Sequence, residues 1–415
     1  MVSLMANFID TLRPRRIVVF RALQLGDMLC CVPALRALRA ACPHAHIALV
    51  GLPWAQTFVA RYPMLIDEFI AFPGARGFPE QSEEERELPA FCDAMGARNA
   101  DLAIQLHGSG GVANALVRAF GARALAGFSQ PGETPPPGCF LPWPDVLPEP
   151  QRYLALLHAA GVRGPALRDD TLWFPLRSED HDACAAIMSR YRLDPARLVL
   201  VHPGAQLPSR RWPAERFAEV ADALALEGWQ IAVTGTQRER PLTASVLGAM
   251  TQTAQHLAGE TTLGALAALV GLARLVVCND TGISHVAAAM RTPSVVIASG
   301  SDTRRWAPLD HALHRVIADW PACRPCMFHS CPYGHPCALN VASSEVTAIA
   351  FAQLSMPARD PVDAAAQRVG ECGSPRSANA RANANASESA SSASGANAPP
   401  RQAARPLRER SAPSC

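Results

Sequence analysis

The chain has 415 residues, too many for one ordinary core and suited to two domains with a remainder. Apolar side chains make up 49% and charged ones 18%, the balance of a globular protein rather than a fibrous or wholly disordered one. The 38 basic and 36 acidic residues leave a formal charge of +2, so no global field draws in nucleic acid and any anion site has to be local. Every basic side chain is arginine; without lysine, Schiff-base and lysine-nucleophile chemistry are excluded.

The longest apolar stretch, Leu263 to Cys278, is broken by Arg274 and falls short of the roughly 20 residues a membrane helix needs. No secretory pattern opens the chain, so the cytoplasm is the expected address. Val2, Met5, Phe8, Ile9 and Leu12 fall at helical spacing ahead of Arg13, Arg15 and Arg16. Two readings stay open for them: a short helix lying on an anionic membrane, or one packed on the first domain.

From Arg16, β-branched runs alternate with helical stretches: RIVVF, Met28 to Ala41, HIALVG, DEFIAF, LAIQL, and ALAGF at 124 to 128. Continuous apolar strands between helices predict a parallel sheet covered on both faces. A loop rich in proline and glycine, Pro131 to Pro150, leads towards a domain boundary. The pattern restarts at LVLVHPG, residues 198 to 204, and continues through IAVTG, QHLAGE, LVVCND and SVVIASG. The fold class is therefore α/β, with two doubly wound Rossmann-like domains facing across a cleft. Expected bounds are 1–176 and 177–356. Positions 357–415, rich in Ala, Ser, Asn, Pro and Arg, are expected to be a disordered tail.

Ligands of such sheets sit outside the carboxyl ends of the strands, so the motifs there matter most. RALQLGDML follows the first strand and puts Gly26 and Asp27 just before a helix; Asp27 either faces the cleft or caps that helix. No G-x-G-x-x-G is present, which argues against a dehydrogenase-type dinucleotide site. VHPGAQLPSRRW places Gly204, Ala205, Arg210 and Arg211 before a helix starting near Pro213. Guanidinium groups beside a glycine turn suit a diphosphate, and solvated arginines are the plainer alternative. CNDTGISHVAAAM sets Asp280, Thr281 and Gly282 at a helix N-terminus, an anion-binding position, with His285 one turn on. A cap and a buried histidine are the plainer readings. Glu239, after IAVTG, is placed either to accept bonds from ribose or sugar hydroxyls or to stand in solvent. Cys323, Cys326, Cys331 and Cys337 are close enough in sequence to surround a structural zinc; packed thiols are the alternative.

The order RALQLGDML, HPGAQLPSRRW, NDTGISHVAAAM, TRRWAPL and CRPCMFHSCPYGHPC resembles the family 9 glycosyltransferases, typified by the ADP-heptose:lipopolysaccharide heptosyltransferases, over about residues 15 to 355. The resemblance implies a GT-B architecture, an acceptor site in the first domain and an ADP-sugar site in the second. It implies that Asp27 is the base toward the acceptor hydroxyl, beside Gly26. It also implies that Asp280, Thr281, Gly282 and His285 bind the donor together with Arg210 and, more loosely, Glu239; Gly204 and Ala205 are counted with the donor site from their place in the glycine turn beside Arg210. Arg210 stands where the family usually has lysine. No cofactor or catalytic metal is expected, and relatives often carry a similar cysteine loop without needing metal in catalysis. The implied partners are an ADP-sugar and a lipopolysaccharide core glycolipid, with peripheral contact at the inner membrane. A nucleotide-sugar epimerase of the same architecture and a non-catalytic sugar-nucleotide-binding scaffold remain the rival readings.

Overall fold

The computed structural model describes residues 8–79 and 87–357. Val2 and Met5 of the N-terminal segment, and positions 358–415 of the expected tail, lie outside the described residues. In the first half the chain runs α1 (Phe8–Leu12), β1 (Arg16–Phe20), α2 (Leu25–Ala41), β2 (His46–Gly51), α3 (Ala55–Val59), β3 (Glu68–Ala71), α4 (Leu88–Ala97), β4 (Leu102–Gln105), α5 (Val112–Ala119), β5 (Ala124–Ser129), β6 (Cys139–Pro142) and α6 (Glu149–Ala159). It continues with α7 (Ser178–Tyr191), β7 (Leu198–His202), α8 (Ala214–Leu226), β8 (Gln230–Val233), α9 (Arg240–Ala249), β9 (Ala254–His256), α10 (Leu263–Leu272), β10 (Leu275–Asn279), α11 (Gly282–Ala289), β11 (Ser294–Ile297), α12 (Thr303–Trp306), β12 (His314–Ile317), α13 (Pro336–Leu339) and α14 (Ser343–Leu354).

Two six-stranded parallel sheets result, ordered β3-β2-β1-β4-β5-β6 and β12-β11-β10-β7-β8-β9. Strands β7 and β10 are buried at every position, as parallel strands under helices on both faces must be. The long apolar stretch from Leu263 is split between α10 and β10, and no described helix is long and apolar enough to cross a membrane. Two strands were not expected. β6 lies inside the proline-rich loop and pairs with β5 from Ala126↔Cys139 to Ser129↔Pro142. It is an edge strand, where a terminal proline costs no ladder bond. β12 is a four-residue strand, HRVI, pairing with β11 at the other sheet's edge.

One continuous core joins the halves. Ile17 and Val19 of β1 and Met28 and Leu29 of α2 belong to the same buried cluster as Leu198 and Leu200 of β7, Val276 of β10 and Val286 of α11. Ile9 of α1 is buried in that cluster, and its N–H donates to the Ala160 carbonyl at 3.0 Å. The described part of the N-terminal segment therefore packs on the protein.

A second tie is ionic. Arg61, just past α3, makes a bidentate pair with Asp180 in the first turn of α7; Nη2 donates to Oδ1 at 2.9 Å, and Nη1 donates to Oδ2. Burial works against the Asp180 charge, yet the Arg61 bonds and the Arg177 N–H hold its carboxyl below the usual carboxylate range. Asp180→Asn leaves the Arg61 charge without its partner and should cost roughly 3 kcal/mol in urea unfolding at neutral pH. A carboxyl depressed in the folded state stabilises above its unfolded value and loses that contribution as the pH falls through the folded one. The two urea midpoints should therefore converge in acid.

Candidate active site

The first strand ends on Phe20, Arg21 follows it, and the chain enters α2 through Gln24, the extended N-cap residue. Asp27 is therefore inside the first turn of the helix, not its cap, which corrects the capping alternative. Its carboxylate stands 3.5 Å from Nη2 of Arg21, whose Nε donates to the Asp27 carbonyl at 2.8 Å. Burial raises the Asp27 carboxyl; Glu149 adds to the rise, and Arg21, Arg305 and His285 oppose it. A carboxylate that holds a proton more readily than usual, with its side chain still 22% exposed, has the properties of a general base.

In the second half, β10 delivers Asp280, and Thr281 is the extended N-cap of α11, making no cap bond with its own side chain. Asn279, fully buried, accepts from the Trp212 N–H at 3.0 Å and donates to the Pro203 carbonyl at 2.8 Å, fixing the β7 loop against the end of β10. The two halves meet here. A methyl group on Gly26 would lie 2.6 Å from Cδ2 of His285, and one on Gly282 would lie 3.4 Å from Leu25. The N-termini of α2 and α11 thus converge, each with free N–H groups and the positive end of its dipole. Gly26, Asp27, Gly282 and His285 come together, and Asp280 is near enough to act on the His285 charge. Burial holds His285 below its ordinary value, and its Nδ1 is 3.6 Å from Sγ of Cys30.

The remaining expected residues sit on neighbouring turns. Gly204 leaves room for the Glu239 carboxylate, which rests directly against it. Glu239 also closes a capping box, accepting from the N–H and hydroxyl of Thr236, both at 2.8 Å. Ala205 is buried and its carbonyl accepts from Nε of Arg211. Arg210 does not stand free: Nη1 donates to the Ser299 carbonyl at 3.1 Å and Nη2 to that of Cys326. It braces the turn after β11 against the cysteine loop, with Asp280 close enough to favour its charge.

The cysteine loop does not form the tetrahedral set. Among the described residues no group of three or more His, Cys, Asp or Glu side chains is arranged to hold a metal ion. Cys337 is buried beneath the loop, where the Gly300 N–H bonds its sulfur, while Cys323 and Cys331 remain partly exposed. Packed thiols describe these residues.

Sequence reasoning missed Arg21, His107, Glu149 and Arg305 as members of the site. Arg21 and Arg305 lie within quoted motifs. His107, two residues past the end of β4, accepts from the Ala22 N–H at 3.2 Å, and is pushed down to about 3 by burial and Arg21, so it stays neutral. Glu149 is hidden at the end of the proline-rich loop.

Residues 88–336, well over half of the chain, match glycosyltransferase family 9 (heptosyltransferase). The chain belongs to this family. It is 28% identical over 325 residues to lipopolysaccharide heptosyltransferase 2 of Salmonella typhimurium, covering 73% of this chain and 87% of that one. The Escherichia coli K12 enzyme of the same name matches at 28% over 323 residues, with the same coverage. The crystal structure of a family 9 glycosyltransferase from Veillonella parvula superposes with a TM-score of 0.67 at 24% identity, covering 82% of this chain and 97% of that one. Escherichia coli ADP-heptose lipopolysaccharide heptosyltransferase II superposes with a TM-score of 0.61 at 23% identity, covering 82% and 98%. The GT-B-like fold expected of this family 9 enzyme is thus the observed one.

The glycine contact can be tested directly. Gly26→Ala drives a methyl into a buried histidine and should cost about 1 to 3 kcal/mol in thermal unfolding, with transfer slowed as the helix ends part. Gly248→Ala, in α9 with no atom within 4 Å of the added carbon, should instead stabilise by up to about 1 kcal/mol.

Proposed function

We propose that this family 9 glycosyltransferase moves a heptose from ADP-heptose onto a lipopolysaccharide core, inverting the anomeric centre. The observation that carries this reading is the meeting of Asp27, with its raised carboxyl, and the start of α11 across Gly26 and His285. Asp27 takes the proton of the acceptor hydroxyl as the oxygen attacks the anomeric carbon. The departing diphosphate is met by the Thr281 and Gly282 end of α11, oriented before the reaction begins. Asp280 and Glu239 accept from donor hydroxyls, and Gly204 and Ala205 let the β7 loop approach the nucleotide. Arg210 adds positive charge from behind the site and holds the turn after β11 in place. We place the boundary of the acceptor and donor domains at 176/177, and the family membership favours transfer over the epimerase and scaffold readings.

Mass spectrometry of lipopolysaccharide from a strain lacking the protein should show a core shortened by a heptose; an unchanged core would move the acceptor elsewhere. Asp27→Asn keeps size and fold but removes the base. Turnover should fall by roughly 10² to 10⁴ with donor affinity nearly constant, measured by steady-state kinetics and calorimetry. Near-normal turnover in that variant would end the base assignment.

We further propose peripheral contact with the inner face of the inner membrane, supported by Arg13, Arg15 and Arg16 beside α1. The purified protein should co-sediment with anionic liposomes at low salt and not with neutral ones; equal recovery on both would refute it.

A further inference from the structure

One carboxylate at the junction of the halves serves neither as base nor as donor ligand in the mechanism above. Glu149 opens α6 and is completely buried. Such a charge is expensive unless surrounded by donors, and this one is surrounded. Arg305 of α12, in the other half, donates to it twice, from Nε at 2.6 Å and from Nη2 at 3.0 Å. Arg152 donates at 3.2 Å, the Tyr153 hydroxyl donates to Oε1, and Nη2 of Arg21 stands 3.8 Å away. Arg21 is the same guanidinium that lies 3.5 Å from Asp27, and it also stacks on the Tyr153 ring at 4.6 Å. The chain of contacts therefore runs from the donor half through Glu149 and Arg21 to the candidate base.

We propose that Glu149 is a positioning residue for sugar transfer: by clasping Arg305 and Arg21 it couples the docking of the donor half to the charge environment of Asp27. The proposal rests on Asp27 being the base. Three guanidinium groups and two carboxylates make up the cluster, an excess of one positive charge where a diphosphate is to be released. The groups facing Asp27 are Arg21 just after β1, Cys30 and Cys31 from its own helix, Glu149 from α6, His285 from α11 and Arg305 from α12. Of these, Glu149 raises the Asp27 carboxyl, while Arg21, Arg305 and His285 lower it. The Arg305–Glu149 contact sets the field at the base, so a shift of α12 at the cleft rim, with the apolar seam still closed, changes how readily Asp27 takes a proton.

The test is the acid limb of the kcat/KM pH profile of the full-length enzyme, with ADP-heptose and a lipopolysaccharide core acceptor. Glu149→Gln removes a negative charge and should move the limb down by roughly half a pH unit or more. Arg305→Gln removes a positive charge and should move it up by a similar amount. The double variant Glu149→Gln, Arg305→Gln restores the charge balance and should return the limb towards the wild-type position. Arg305 is 28% exposed, so its variant can be read even if Glu149→Gln fails to fold. A purely structural role for Glu149 predicts lower melting temperatures and rates with both limbs unmoved, and that result overturns the proposal. A wild-type limb that survives Asp27→Asn unmoved sinks the base reading and the clasp with it. A limb that Asp27→Asn abolishes but the charge variants leave in place sinks the clasp alone.

Discussion

The structure depends on two helix N-termini being allowed to touch. Ordinarily the side chains of the first turn keep such ends apart, and their like-signed dipoles disfavour the approach. Here Gly26 and Gly282 remove the steric barrier, and the carboxylates of Asp27 and Asp280 at the two helix starts offset the dipoles. What remains is a small region of N–H groups directed at one place, with the Asp27 carboxylate beside it. An anion arriving there finds donors already oriented, so little reorganisation is needed as charge develops on it.

The loops that frame this junction are each fixed by a polar side chain of the fold. Asn279 holds the β7 loop to the end of β10, Glu239 closes the turn after β8 while resting on Gly204, and Arg210 ties the β11 turn to the cysteine loop. The expected donor residues thus divide into two kinds. Thr281 and Gly282 present backbone to the cleft, whereas Arg210 and Glu239 spend much of their bonding capacity holding the frame. An arginine in a position usually filled by lysine fits that division, since its planar fork bridges two carbonyl oxygens that an ammonium would contact from a single point.

Most of the fold was legible in the sequence because parallel strands buried on both faces are continuous apolar runs. RIVVF, LVLVH and LVVCN each became a central strand. The two strands that escaped, β6 and β12, are short edge strands, where proline or charged residues interrupt the run. The candidate site was legible where its residues follow strands in recognisable motifs, as with Asp27 and the Asp280 to His285 segment. Glu149 was not, because a glutamate among prolines looks like a solvated loop residue. Its importance comes from Arg21 and Arg305, 128 and 156 positions away, and no local pattern encodes such a meeting. The cysteine spacing misled for a related reason: closeness along the chain does not direct thiols to a common point.

The core shared by both halves bears on how a bulky acceptor enters. In many two-domain proteins the halves are separate globules on a flexible connector, free to swing wide. Here Met28 and Leu29 of one half are packed with Val276 and Val286 of the other in a single apolar mass. Wide separation would expose that surface to water, so the accessible motion is a rocking or sliding of the cleft rim about a closed seam. Substrates therefore come and go through the mouth of the cleft, while the apolar seam stays shut between turnovers.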